Sequence, residues 1–116
     1  MKKISEIKDA FETGEYVMRS EGFETGMNNP FRSAIEQCLQ ADALATLDAI
    51  AEIIDGYSKE VQAECLIYVG GAVYDTVLGD AAIEKALSLA EHALKSDDAY
   101  VRDAASLLLC DIDGQD

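Results

Sequence analysis

Sliding the sequence against itself by 40 residues lays one pair of helical patterns over another. Leu47 meets Leu87, Ile50 meets Ala90, Ile53 meets Ala93 and Ile54 meets Leu94. Two short turns follow, around Gly56–Tyr57 and Ser96–Asp97. Beyond them Val61 meets Val101, Gln62 meets Arg102, Ile67 meets Leu107 and Val69 meets Leu109. A helix pair joined by a short turn cannot bury its apolar stripes alone, so such units stack and share one core. One proline and eight glycines in 116 residues leave too little turn chemistry for an all-β fold. The length suits a single helical domain, 1–116, with one sizeable core.

The apolar spacing predicts about six helices. The first covers 5–20, with Ser5 as N-cap and Ile7, Phe11 and Met18 on one face; Gly14 weakens its middle by about 1 kcal/mol relative to Ala. A loop over 20–29 leads to Asn29 as N-cap and Pro30 at the first helical position of a second helix, with Phe31, Ile35, Cys38 and Leu39 as its stripe. The third, 42–55, faces inward through Leu44, Leu47, Ile50, Ala51 and Ile54, and Gly56 ends it. Ser58 caps a fourth, apolar on nearly every side from Val61 to Val73 and therefore the central helix. Gly70–Gly71 in its middle reads as a close crossing or a kink, since no GK[ST] continuation makes it a phosphate loop. Asp80 caps a fifth helix with Ile83, Leu87, Ala90 and Leu94 inward. The sixth turns Val101, Ala104, Ala105, Leu108 and Ile112 to the core. These pair as antiparallel hairpins over 5–41, 42–78 and 80–112.

The stretch "SDDAYVRDAASLLL" resembles the second helix of HEAT repeats, an acidic turn followed by V-R-x-x-A and an apolar run, and a period near 40 with two helices per unit is that of HEAT and armadillo arrays. The resemblance covers 42–112, with 5–41 as a degenerate third pair. It implies a short HEAT-like α-solenoid; an irregular helical bundle is the alternative. It also implies structural work for the turn acid and the arginine. Asp97 is the expected helix cap, although Asp98 is also placed for it, and Arg102 can reach back to a turn acid.

Charge is distributed unevenly. Of the net −14, residues 1–32 contribute −1 and residues 33–116 contribute −13, from four bases against 17 acids. Such a surface repels nucleic acid and anionic membranes and attracts basic partners, or it serves solubility alone. Cys38, Cys65 and Cys110, far apart and without CxxC spacing, read as buried free thiols in a reducing compartment. The first residues carry lysines without an apolar stretch after them, and no window approaches a membrane span, so the expected location is cytoplasmic.

Catalytic constellations are not evident. His92 has Ser88, Leu89, Lys95 and Ser96 as its neighbours on the helix, which offer no metal ligand and no nucleophile. "DIDGQD" has the start of a calcium loop without the bidentate glutamate that completes one. Glu60 and Glu64, one turn apart, read as a solvated face. No basic stripe with aromatics points to direct nucleic-acid binding. The expectation is a non-enzyme with no cofactor and no metal.

A small, acidic, helical, non-catalytic chain is similar in architecture and composition to the α-helical immunity proteins of contact-dependent inhibition and related polymorphic toxin systems in bacteria. That similarity implies a monomer in a 1:1 complex with a basic nuclease toxin whose active cleft it occludes. Two alternatives stand beside it: a phage anti-CRISPR-type inhibitor that mimics DNA, and a HEAT-like scaffold or adaptor. The expected partner-binding residues are Tyr57, Glu60 and Glu64 in one repeat and Asp98, Tyr100 and Asp103 in the corresponding places of the next, forming one continuous ridge.

Overall fold

The computed structural model describes residues 2–20, 29–75 and 78–114. It contains six α-helices and, among those residues, no strand. They are α1 (Lys2–Ser20), α2 (Pro30–Ala41), α3 (Ala43–Ile53), α4 (Lys59–Asp75), α5 (Asp80–Ala93) and α6 (Ala99–Asp113), with a 3-10 turn, Ile54–Gly56, after α3. The loop expected over 20–29 lies almost wholly outside the described residues. No helix among them is long and apolar enough to cross a membrane.

Local chemistry sets most of the helix starts. The Asn29 side chain accepts from the Phe31 amide at 2.9 Å ahead of Pro30. Asp42 accepts from Ala45 at 3.1 Å, and the Thr46 hydroxyl donates to the Cys38 carbonyl at 2.8 Å, closing the turn between α2 and α3. The 40-residue repeat is also written in the caps. Ser58 Oγ accepts from the Val61 amide at 3.4 Å, and Asp98 Oδ1 accepts from the Val101 amide at 3.1 Å. Gln62 Nε2 reaches back to the Tyr57 carbonyl and Arg102 to the Ser96 carbonyl, each at 2.8 Å.

Three expected caps are corrected. Asp98, not Asp97, caps α6; Asp97 stands in solvent with a loose 3.7 Å ion pair to Lys59. Arg102 accordingly holds a turn carbonyl rather than a turn acid. Ser5 lies inside α1, which begins at Lys2, because Lys3 and Ile4 are already helical. Gly79 occupies the cap position of α5 in extended backbone, and Asp80 is the first helical residue, where its charge still complements the helix dipole.

Each helix packs on the one two places along. α1, α3 and α5 lie side by side, and so do α2, α4 and α6, giving two layers of three. The first and third hairpins close on themselves, α1 on α2 and α5 on α6. In the middle hairpin α3 and α4 barely touch. With three units the stack is no rod: its radius of gyration is 12.8 Å, close to the ~13 Å of a globule this size.

α4 is the central helix, against α1, α2, α5 and α6, and its contact with α6 is the most extensive in the molecule. Gly70 permits that approach. A Cβ there would stand 3.7 Å from Leu108 Cα and 2.5 Å from an Asp111 carboxylate oxygen, whereas one on Gly71 would meet nothing. The pair therefore marks a close crossing at Gly70. At the other end of the core the Phe31 ring lies 5.5 Å from Phe11 and 5.4 Å from Tyr68, and Gly14 makes room for it.

The α6 stripe is buried as expected, from Val101 to Ile112. The α5 stripe is not. Ala82, Ala86, Leu89, Ala90 and Ala93 face inward, while Leu87 and Leu94 are each 37 % exposed. α5 ends its layer, with α3 on one side and none of the described helices on the other, so the side chains that match buried Leu47 and Ile54 meet solvent. Leu44 and Ala51 in α3 are also exposed. The thiols are free, but they are not all buried: Cys65 is, Cys38 is half-buried and Cys110 is exposed.

Candidate functional site

The even-numbered helices carry a line of tyrosines and acids across their shared layer. Glu64 in α4 accepts from the Tyr100 hydroxyl in α6, joining two residues 36 apart in sequence. The same carboxylate acts on the Tyr68 hydroxyl by charge and hydrogen bonding. That hydroxyl in turn accepts from Asn29 Nδ2 at 3.1 Å, from the cap of α2. Arg32 in α2 lies over the Tyr68 ring, 6.0 Å from its centre, and pairs with Glu36 at 3.3 Å. One hydrogen-bonded seam thus ties α2, α4 and α6 together.

The seam holds its phenols protonated. Burial, then the hydrogen bond and charge of Glu64, then the charge of Glu60, push the Tyr100 pKa up to about 12. Burial and Glu64 raise Tyr68 further still, against a smaller opposing effect from Arg32. Tyr100 keeps 44 % of its surface exposed, so a hydroxyl fixed at one end carries a ring available at the other. A side chain fixed in advance loses less freedom when a partner covers it.

Of the six residues expected to form a ridge, the structure brings Glu64 and Tyr100 into direct contact and places the Glu60 charge close enough to act on Tyr100. Glu60 and Asp103 are exposed, and neither makes an ion pair among the described residues. Two members serve elsewhere. Asp98 is spent on the α6 cap. Tyr57 turns toward α1, its ring 4.9 Å from Phe11; burial and the charges of Glu12, Glu15 and Asp9 raise its pKa. Tyr57 follows α1 because the Ser58 amide next to it donates to Glu15 at 2.7 Å.

Tyr68 and Arg32 join the seam without having been singled out by sequence, and Asn29 was expected only as a helix cap. The signal was present for Tyr68, which lies at i+4 from Glu64 and so on the same helix face. The contribution of α2 depends on how the hairpins stack and has no counterpart in spacing.

His92 does have an acidic partner, from another helix pair. Its Nε2 lies 2.9 and 3.1 Å from the two Asp55 oxygens, and both side chains are mostly exposed. Among the described residues no three His, Cys, Asp or Glu side chains converge to hold a metal ion. The first residues of "DIDGQD" are helical, and burial raises the carboxyl pKa of Asp111, which sits beside Gly70. What the seam offers chemically is recognition: exposed carboxylates around an oriented aromatic ring. Comparison with protein-family models, with curated proteins and with solved structures finds no match to this chain.

Proposed function

We propose that this chain is an acidic immunity or inhibitor protein that binds a basic nuclease toxin in the bacterial cytoplasm and neutralises it by occluding its active cleft. The observation that carries the reading is the pair of uncompensated acids, Glu60 and Asp103, on the layer where Glu64 orients Tyr100. Nuclease clefts hold phosphates with Lys and Arg, so carboxylates presented on a rigid face can take the place of phosphates there. The net −13 of residues 33–116 adds long-range steering, which acts mainly on the association rate. Tyr100 supplies the kind of anchor that dominates such interfaces.

The test is co-expression with a nuclease domain encoded beside this chain, followed by pull-down, growth rescue and binding kinetics at two ionic strengths. Association is expected to slow steeply with salt while dissociation changes less. Glu60→Lys and Asp103→Lys should weaken the complex at unchanged thermal midpoint, and Tyr100→Ala should weaken it as well, with a lower midpoint from loss of the hydrogen bond to Glu64. If no basic partner is retained, or if these three variants bind as the parent does, the inhibitor reading fails and a scaffold role takes its place.

A further inference from the structure

Gly71 weakens α4, and the packing of this chain makes no use of it. Glycine in the interior of a helix is destabilising relative to alanine. Gly70, next to it, already serves the close approach of α6, whereas a Cβ on Gly71 would meet nothing within 4 Å. The bare backbone at Gly71 lies between Ile67, one turn before it, and Tyr74, one turn after. All three fall on the strip of α4 that carries Glu60 and Glu64 at helical spacing.

A matching strip runs along α6. Tyr100, Asp103 and Leu107 share one face by the same spacing, and the hydrogen bond from Tyr100 to Glu64 sets that face beside the strip of α4. Farther along, Leu108 and Asp111 lie against Gly70, so the two helices run the same way and stay close. The double strip covers about four turns, roughly 21 Å. Its halves differ. At the helix starts stand Glu60, Glu64 and Asp103. Toward the helix ends the surface is apolar: Tyr74 is 75 % exposed, Leu107 is 57 % exposed and Ile67 is partly so, around the gap at Gly71. The bases of these two helices bond elsewhere, Lys59 to Asp97 and Arg102 to the Ser96 carbonyl.

Those halves say what would fit. A helix laid over the groove between two helices sends a side chain into it every three or four residues. The gap at Gly71 has room for one large apolar side chain, and the acids require bases about two turns away. A second copy of this chain would bring acids to acids. The acids stand where α4 and α6 begin, so a visiting helix antiparallel to them ends there, and bases are favoured at the end of a helix by its dipole.

We propose that the α4–α6 face docks one amphipathic helix of a partner protein, antiparallel to α4. Its apolar first half sets a Leu or Phe over Gly71, and its second half sets Lys and Arg over Glu60, Glu64 and Asp103. The inference deepens the inhibitor reading by naming the element of the partner that this surface takes, and it rests on that reading only for the partner being a nuclease.

The probe is a synthetic helical peptide of about 15 residues, long enough to span the strip, with Leu and Phe on one face of its first half and lysines in its second. It is titrated into the full chain and followed by backbone amide shifts in two-dimensional NMR. Saturable shifts are expected at Ile67, Gly71, Tyr74 and Leu107. The peptide with its lysines changed to glutamine, and one with the same residues in scrambled order, should each bind about tenfold more weakly or worse. Gly71→Leu should weaken binding about tenfold or more at a thermal midpoint no lower than the parent's, because it fills the gap without disturbing the fold. Glu60→Lys should weaken binding about fivefold or more, while Glu84→Lys, the same charge change on the exposed side of α5, should stay within about twofold of the parent. Absence of saturable shifts would overturn the docking face. So would equal affinity for either altered peptide, a Gly71→Leu variant that binds as the parent does, or equal losses from Glu60→Lys and Glu84→Lys. The two readings fail separately. A nuclease retained equally by the parent and by Gly71→Leu removes the docked helix and leaves the inhibitor; a peptide that binds as expected, with no nuclease retained, keeps the docked helix and removes the inhibitor.

Discussion

Gly14→Ala and Gly71→Ala are the same chemical change at two mid-helix positions, and the fold gives them opposite consequences. By helix propensity each gains about 1 kcal/mol. At Gly71 a new methyl group meets nothing within 4 Å, so the gain stands. At Gly14 it would lie 2.8, 2.9 and 3.0 Å from Phe31 Cδ2, Cγ and Cε2. Those distances are well inside contact, and the ring cannot retreat easily. Phe31 is fully buried, with the Phe11 and Tyr68 rings against its other sides. Overpacking of this kind costs about 1–3 kcal/mol. Propensity cancels between the two variants, so the difference between them isolates the steric cost. For 116 residues 1 kcal/mol corresponds to about 4 °C in thermal midpoint. Gly71→Ala should therefore melt about 4–12 °C above Gly14→Ala, with the parent between them or near the lower value. Gly70→Ala belongs in the middle, because the atom it strikes is the end of the Asp111 side chain, which can rotate. Scanning calorimetry of the set reads this directly. Adding Phe31→Leu supplies the cross-check, since the ring causes the clash and its removal should cost less in the Gly14→Ala background. Equal midpoints for the two alanine variants, within about 2 °C, would refute the packing argument.

Asp98→Ala should lower stability by about 0.5–2 kcal/mol through loss of the α6 cap, while Asp97→Ala should change it by less than about 0.5 kcal/mol; urea midpoints in the reverse order would show the cap misassigned. Leu66→Ala should cost about 2–5 kcal/mol and Ile67→Ala clearly less, because Leu66 is fully buried and Ile67 is partly exposed. Tyr100 carries a pH dependence. Between its ordinary value near 10 and about 12, the folded chain keeps a phenol proton that the unfolded chain has lost, so stability falls as pH rises through that window and nothing is lost below it. Urea midpoints inside and below the window, for the parent and for Tyr100→Phe, should show a shallower alkaline fall in the variant; identical slopes would mean Tyr100 is not held protonated.

The sequence by itself determined the helices and much of their burial. Asn29–Pro30 and Ser58 announce helix starts because a cap bonds to an amide two or three residues away, and that geometry is local. The α6 stripe and the all-round apolar α4 likewise follow from a 3.6-residue period. The 40-residue shift was legible in the second helices because each repeat reuses the same local devices, a cap at Ser58 or Asp98 and a return bond from Gln62 or Arg102. Tertiary structure decided the rest. Leu87 and Leu94 are as apolar as Leu47 and Ile54, yet burial depends on whether a neighbouring helix exists, and α5 has one on a single side. The choice of Asp98 over Asp97 turned on one residue of register at a turn. Tyr57 left the expected ridge because α1, far earlier in the chain, offered Phe11 and Glu15. The seam from Asn29 through Tyr68 and Glu64 to Tyr100 joins side chains from separate helices. A repeat period tells each helix which face to bury; only the stacking of the hairpins sets which residues of different helices meet.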